Sequence, residues 1–143
     1  MDAKYQEFLM GDFSQGFTKY IGMEAVSSSD GKFESRMVIT ENHRQQDGFV
    51  HAGAVSTLAD HTAGYSAFTL AGEENQILTI EFKINFLAPA HGDSLVCRSE
   101  VIRSGRKIMV TESRVYDVNG DEEKMTALAI FTMAVVPKKD LVR

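Results

Sequence analysis

The sequence predicts an α+β fold in which an antiparallel sheet wraps around one long central helix. Apolar residues recur at helical spacing near the start and again over about 52–71. From residue 77 onward the period falls to two, through four successive runs. No helix-forming stretch separates those four runs, which disfavours a doubly wound parallel sheet. With 143 residues, 43% of them hydrophobic and 24% charged, the chain is expected to form a single domain over 1–143 with a real core.

Each element has its own signal. Residues 2–20 carry Tyr5, Phe8, Leu9, Phe13, Phe17 and Tyr20 at spacings of three and four, a short amphipathic helix broken near Gly11 or Gly16. Residues 21–29 and 32–40 read as a hairpin turning at Asp30-Gly31, a type I′ signal. A polar loop from Glu41 to Gly48 leads into the long helix. In 77–87, Leu78, Ile80, Phe82, Ile84 and Phe86 alternate with polar residues, as in a half-buried strand. Runs at about 93–103 and 107–118 flank Ser104-Gly105, a second tight turn. The last strand, about 124–136, is apolar on both faces, which makes it central or covered by a partner.

The long helix holds the feature that most needs explaining. At about 100° per residue, Gly53, Ser56, Ala63, Gly64, Ala67 and Ala71 share the side of Asp60, while Val55, Leu58, Thr62, Tyr65 and Thr69 lie opposite. A stripe of small residues marks close approach by a backbone or a ligand. An unpaired carboxylate buried there is costly, so Asp60 calls for either a functional role or an ion pair across a subunit interface. His51-Ala52-Gly53 stands at the start of the same helix.

Composition excludes several classes. A net charge of −5 implies no general polyanion-binding surface, so nucleic acid is not an expected partner. The lone Cys97 leaves no intramolecular disulfide and reads as a reduced core thiol. Four scattered histidines do not make a zinc site, and no metal is expected. The first residues lack the basic and apolar regions of a signal peptide, and the apolar runs are too short for a membrane span; the expected location is cytoplasmic.

From about residue 15 to 136 the chain resembles the hotdog-fold acyl-CoA thioesterases, in their phenylacetate-pathway (PaaI-like) branch. The likeness rests on the order of elements, the loop Gly48-Phe49-Val50-His51-Ala52-Gly53, and an acid nine residues after the histidine. The family pattern is Asn, five intervening residues, His-Gly-Gly, then Asp. His51, Gly53 and Asp60 match it, whereas Gln45 stands at the Asn position and Ala52 at the first glycine. Alanine keeps the backbone N–H that the resemblance asks of position 52. Gln45 keeps the amide on a longer arm, with Gln46 as a substitute.

The resemblance implies hydrolysis of acyl-CoA to the free acid and CoA, with Asp60 as general base or nucleophile. N–H groups of Ala52 and Gly53 would form the oxyanion hole, helped by the helix dipole, and His51 would organise the loop or touch substrate. It also implies a homo-oligomer whose dimer shares its active sites, the acid from one subunit and the oxyanion loop from the other. Pairing through the edge of the 77–87 strand and a dimer of dimers, a homotetramer, are expected. No cofactor is implied, since coenzyme A belongs to the substrate.

Further candidates are Thr79, which starts the next strand and can hydrogen-bond near Asp60, and Phe68 with Tyr65 for the acyl slot. Arg103, Arg106 and Lys107, clustered in one turn, would meet the CoA phosphates or form a solvated hairpin tip. His61 follows Asp60 but points about 100° away, so the two form no dyad. Two other readings stand beside the hydrolase. One is a non-catalytic acyl-CoA-binding module. The other is an enoyl-CoA hydratase using Asp47 and His51, which would leave Asp60 unexplained.

Overall fold

The computed structural model describes residues 1–141. The order is α1 (Ala3–Asp12), α2 (Gly16–Tyr20), β1 (Met23–Ser29), β2 (Lys32–Val38), α3 (Ala52–Ala71), β3 (Asn75–Phe86), β4 (Ser94–Ser104), β5 (Ile108–Asn119) and β6 (Glu122–Pro137), with single 3₁₀ turns at Glu41–His43 and Lys138–Asp140. All six strands form one antiparallel sheet in the order β1-β2-β4-β5-β6-β3. The apolar β6 lies inside that sheet, and β3 forms an edge.

Helix α3 packs across the sheet against β2, β3, β4 and β5. Its contact side is made of short side chains, so helix and sheet approach closely. Leu58, Ala59, Thr62, Ala63 and Ser66 are all fully buried. Thr62 finds a partner across the interface, while Ser66 donates to the Ala63 carbonyl of its own helix. Ser35 and Thr62 hydroxyls lie 2.6 Å apart, and Ser113 donates to the Ala59 carbonyl at 2.8 Å. At its far end Gly72 ends the helix at φ +81°, a conformation that side chains rarely adopt. Phe13, fully buried after α1, stacks on Phe33 and meets Tyr65 edge-on at 5.0 Å, joining the N-terminal helix to α3.

Three details differ from expectation. Gly31 has φ +74° but among the described residues, Asp30 included, no non-glycine has positive φ, so the Asp30-Gly31 turn is not type I′. A bulge between Thr79 and Glu81 reverses the faces of β3. Before it, Ile77 and Thr79 pair with Val135 and Met133. After it, Phe82 and Ile84 pair with Phe131 and Ala129, so Leu78 and Phe82 occupy opposite faces of the sheet. The small-residue stripe of α3 also divides. Ala63 and Ala67 are core, while Gly53, Ser56, Asp60 and Gly64 stay wholly or partly open.

Along the edge strand and just beyond, Leu78, Ile80, Phe82, Phe86 and Leu87 are each between 43% and 57% exposed. Such an apolar, unpaired edge is the kind that proteins normally cover.

Candidate active site

Asp60 projects from the middle of α3, half-buried, and its Oδ1 accepts a 2.6 Å hydrogen bond from the Thr79 hydroxyl. The bulge makes this bond. Without the extra residue, a strand that stacks Phe82 on Phe131 would turn Thr79 away from the helix. The other carboxylate oxygen has no partner among the described residues. Asp60 and Thr79 line a cleft of about 250 Å³ whose walls include Tyr5, Phe8, Tyr65 and Phe68. The expected Phe68 lines this same cleft, about 12 Å from Asp60 along the helix axis.

At the start of α3, His51 is the N-cap. Its Nδ1 accepts from the Gly53 N–H at 2.8 Å, and its carbonyl accepts from Ala54 and Val55. Of the two donors expected here, the Gly53 N–H is therefore engaged. The Ala52 N–H has no partner among the described residues. A Cβ on Gly53 would lie 2.9 Å from His51 Nδ1, so glycine lets the imidazole fold over the helix end. Gln45 and Gln46 line the same pocket of about 550 Å³ as His51 and Ala52. The Gln45 side chain bends back to accept from the Asp47 N–H, and Gln46 is exposed.

The two cavities share no lining residue. At 1.5 Å per residue, α3 holds Ala52 and Asp60 about 12 Å apart along its axis. Within one chain the acid and the free amide do not meet.

Sequence reasoning missed the residues that brace the loop. His43 is buried, with Thr40 N–H donating to its Nδ1 at 2.9 Å and its Nε2 2.7 Å from the Ile21 carbonyl. The Arg44 guanidinium donates to the carbonyls of Gly48 and Gly92. Asp117 is buried and accepts from the N–H groups of His91 and Gly92, fixing the wall opposite. A charged side chain in the apolar alternation of β5 was the readable signal. His43 and Arg44 gave none beyond their place in a polar loop.

The basic turn lies at the β4–β5 connection. Arg103, Arg106 and Lys107 are exposed, and none forms an ion pair among the described residues. Met109, beside this turn, pairs with Met133, which in turn pairs with Thr79, so the charges sit at the Asp60 end of the sheet. Among the described residues no three His, Cys, Asp or Glu side chains form a metal-holding group, and no helix is long and apolar enough to cross a membrane.

His61 turns from Asp60 into the aromatic cluster, its Nε2 2.8 Å from the Phe13 carbonyl. Burial lowers its pKa below the ordinary 6.5, opposed by that hydrogen bond and by the charges of Asp60 and Asp12. Burial likewise raises the Tyr65 phenol, which donates to Asp12 Oδ2 at 2.7 Å.

The Thioesterase superfamily model matches residues 47–124. A 1,4-dihydroxy-2-naphthoyl-CoA hydrolase of Listeria monocytogenes is 28% identical over 124 residues, 87% of this chain and 98% of that protein. The crystal structure of a thioesterase family protein from Silicibacter pomeroyi superposes with a TM-score of 0.89 at 35% identity, covering 93% of this chain and 98% of that one. The E. coli PaaI protein of the phenylacetic acid degradation operon superposes at 0.81 over 94% of this chain and 93% of its own, at 20% identity, a likeness of fold.

A histidine whose folded pKa is depressed favours the native state above its unfolded value and loses that contribution as pH falls. The melting temperature should therefore drop from pH 7 to pH 5, and His61→Gln should flatten that drop. Equal slopes in both proteins would remove His61 as the cause.

Proposed function

The chain belongs to the thioesterase superfamily, and from that premise we propose that it hydrolyses acyl-CoA thioesters to the free acid and CoA. The observation that carries this reading is the Asp60–Thr79 pair. One carboxylate oxygen is held by a hydroxyl and the other has no partner among the described residues, in a ring-lined cleft. The relative named as a 1,4-dihydroxy-2-naphthoyl-CoA hydrolase supports CoA as the thiol.

In this mechanism Asp60 is the general base. It takes a proton from water as the oxygen attacks the thioester carbonyl carbon. The developing oxyanion accepts from the Ala52 N–H of the partner subunit, a backbone donor at a helix start where the dipole is positive. The tetrahedral intermediate then collapses, the C–S bond breaks, and the proton held by Asp60 passes to the departing thiolate, which restores the carboxylate. Thr79 orients the carboxylate, while His51 occupies Gly53 and so leaves position 52 as the donor. Gln45 and Gln46 line the approach to that amide. The reaction calls for no resident metal or cofactor.

The acting unit is a dimer formed through the uncovered β3 edge, located in the cytoplasm. The exposed Ile108 and Ile130 on β5 and β6 suit a second contact that pairs dimers into a tetramer. Arg103, Arg106 and Lys107 meet the CoA phosphates. A hydratase reading built on Asp47 and His51 would leave the Asp60–Thr79 pair without a role.

Asp60→Asn preserves shape and removes the base, so kcat on the best acyl-CoA should fall by about 10²–10⁴-fold with the melting temperature unchanged. Wild-type turnover would refute the assignment, and a wild-type protein that binds acyl-CoA without hydrolysis would be a binding module. Arg106→Ala should raise KM for CoA esters and leave KM for esters of a short thiol unchanged. An equal effect on both would exclude phosphate recognition by this turn.

A further inference from the structure

We infer that Phe8, on α1, limits the length of the acyl group that the Asp60 cleft accepts; the inference rests on the thioesterase reading above. The cleft runs along the open side of α3, with β3 on one flank and α1 on the other. Tyr5, Phe8, Leu9 and Asp12 form the α1 wall. Beyond that wall lies a second groove of about 410 Å³, lined by Lys4, Glu7, Phe8, Gly11, Asp12 and Gln15. Phe8 and Asp12 line both spaces and form the partition between them.

The two partition residues are held very differently. Asp12 is clamped, accepting from the Tyr65 hydroxyl at 2.7 Å and from Gln15 Nε2 at 2.6 Å. Phe8 is 53% exposed, and its ring stacks on Tyr5 with centroids 6.2 Å apart. The helix behind it is fixed. Leu9 is buried, the Tyr5 hydroxyl donates to the Phe68 carbonyl at 3.0 Å, and Gln6 donates to the Ser28 carbonyl at 2.6 Å. Truncating Phe8 therefore opens the cleft into the outer groove without releasing α1. An acyl chain that ends against this ring would then continue into the space the ring vacates beside Tyr5 and Leu9. It would stop where the outer groove's remaining walls, Lys4, Glu7, Gly11, Asp12 and Gln15, offer no large apolar side chain.

Each methylene moved from water to an apolar wall is worth about fourfold in kcat/KM while room remains. The test is a series of straight-chain acyl-CoAs assayed with wild type, Phe8→Ala and Phe8→Trp, with thermal melts to show that each is folded. Phe8→Ala should move the optimum to longer chains by two carbons or more and raise the long-to-short ratio of kcat/KM by at least about tenfold. Phe8→Trp should shift the optimum shorter. Unchanged length profiles in active variants would overturn the inference while leaving the hydrolase intact. A wild-type protein that cleaves no acyl-CoA would overturn the hydrolase reading and this inference together.

Discussion

A straight helix cannot bring its own first turn to its own middle. Because α3 is rigid and buried along most of one side, Ala52 and Asp60 stay about 12 Å apart along its axis, facing cavities that share no wall. A reacting carbonyl spans no such distance. If one amide and one carboxylate act on one carbon, they come from two copies of the chain. The uncovered apolar edge of β3, on the strand that supplies Thr79, is the surface where such copies would join.

Two small devices tune this arrangement. One extra residue in β3 lets the same strand stack Phe82 on Phe131 and aim Thr79 at Asp60. A hydrogen bond to a charged group contributes about 1.5–3 kcal/mol, so the bond fixes the carboxylate as well as touching it. At the helix start, the His51 ring takes up the Gly53 N–H and leaves that of Ala52 unengaged. His43, Arg44 and Asp117 hold the surrounding loops through backbone carbonyls and amides, which preorganises the donor rather than supplying chemistry.

The fold was largely legible in the sequence because it rests on periodicity. The 52–71 helix and the four later strands follow from spacing alone, and β6 lies inside the sheet as its two apolar faces require. The bulge was not legible. Leu78, Ile80 and Phe82 alternate without a break, and only the register with β6 shows that parity changes between them. The stripe on α3 was read as one surface, yet Ala63 and Ala67 serve the core and only Gly53, Ser56, Asp60 and Gly64 remain at the opening. For the site, the positions of Asp60, His51 and Thr79 were readable as types at a spacing. The engagement of Gly53 was not, because it depends on the imidazole folding over the helix end. The α1 wall was equally hidden, since Phe8 and Asp12 approach Asp60 only through the packing of Phe13, His61 and Tyr65.

The most direct measurement of the central claim is subunit complementation. Ala52→Pro deletes only the N–H in question, at a first helical position where proline is tolerated and after a His51 already extended at φ −61°, ψ 136°. Ala52→Pro and Asp60→Asn should each be inactive alone. Dissociated, mixed in equal amounts and reassociated, they should recover about a quarter of wild-type activity, since half the dimers are mixed and each carries one intact site. A mixture no more active than its parents, although mixed dimers have formed, would contradict a site built from two chains.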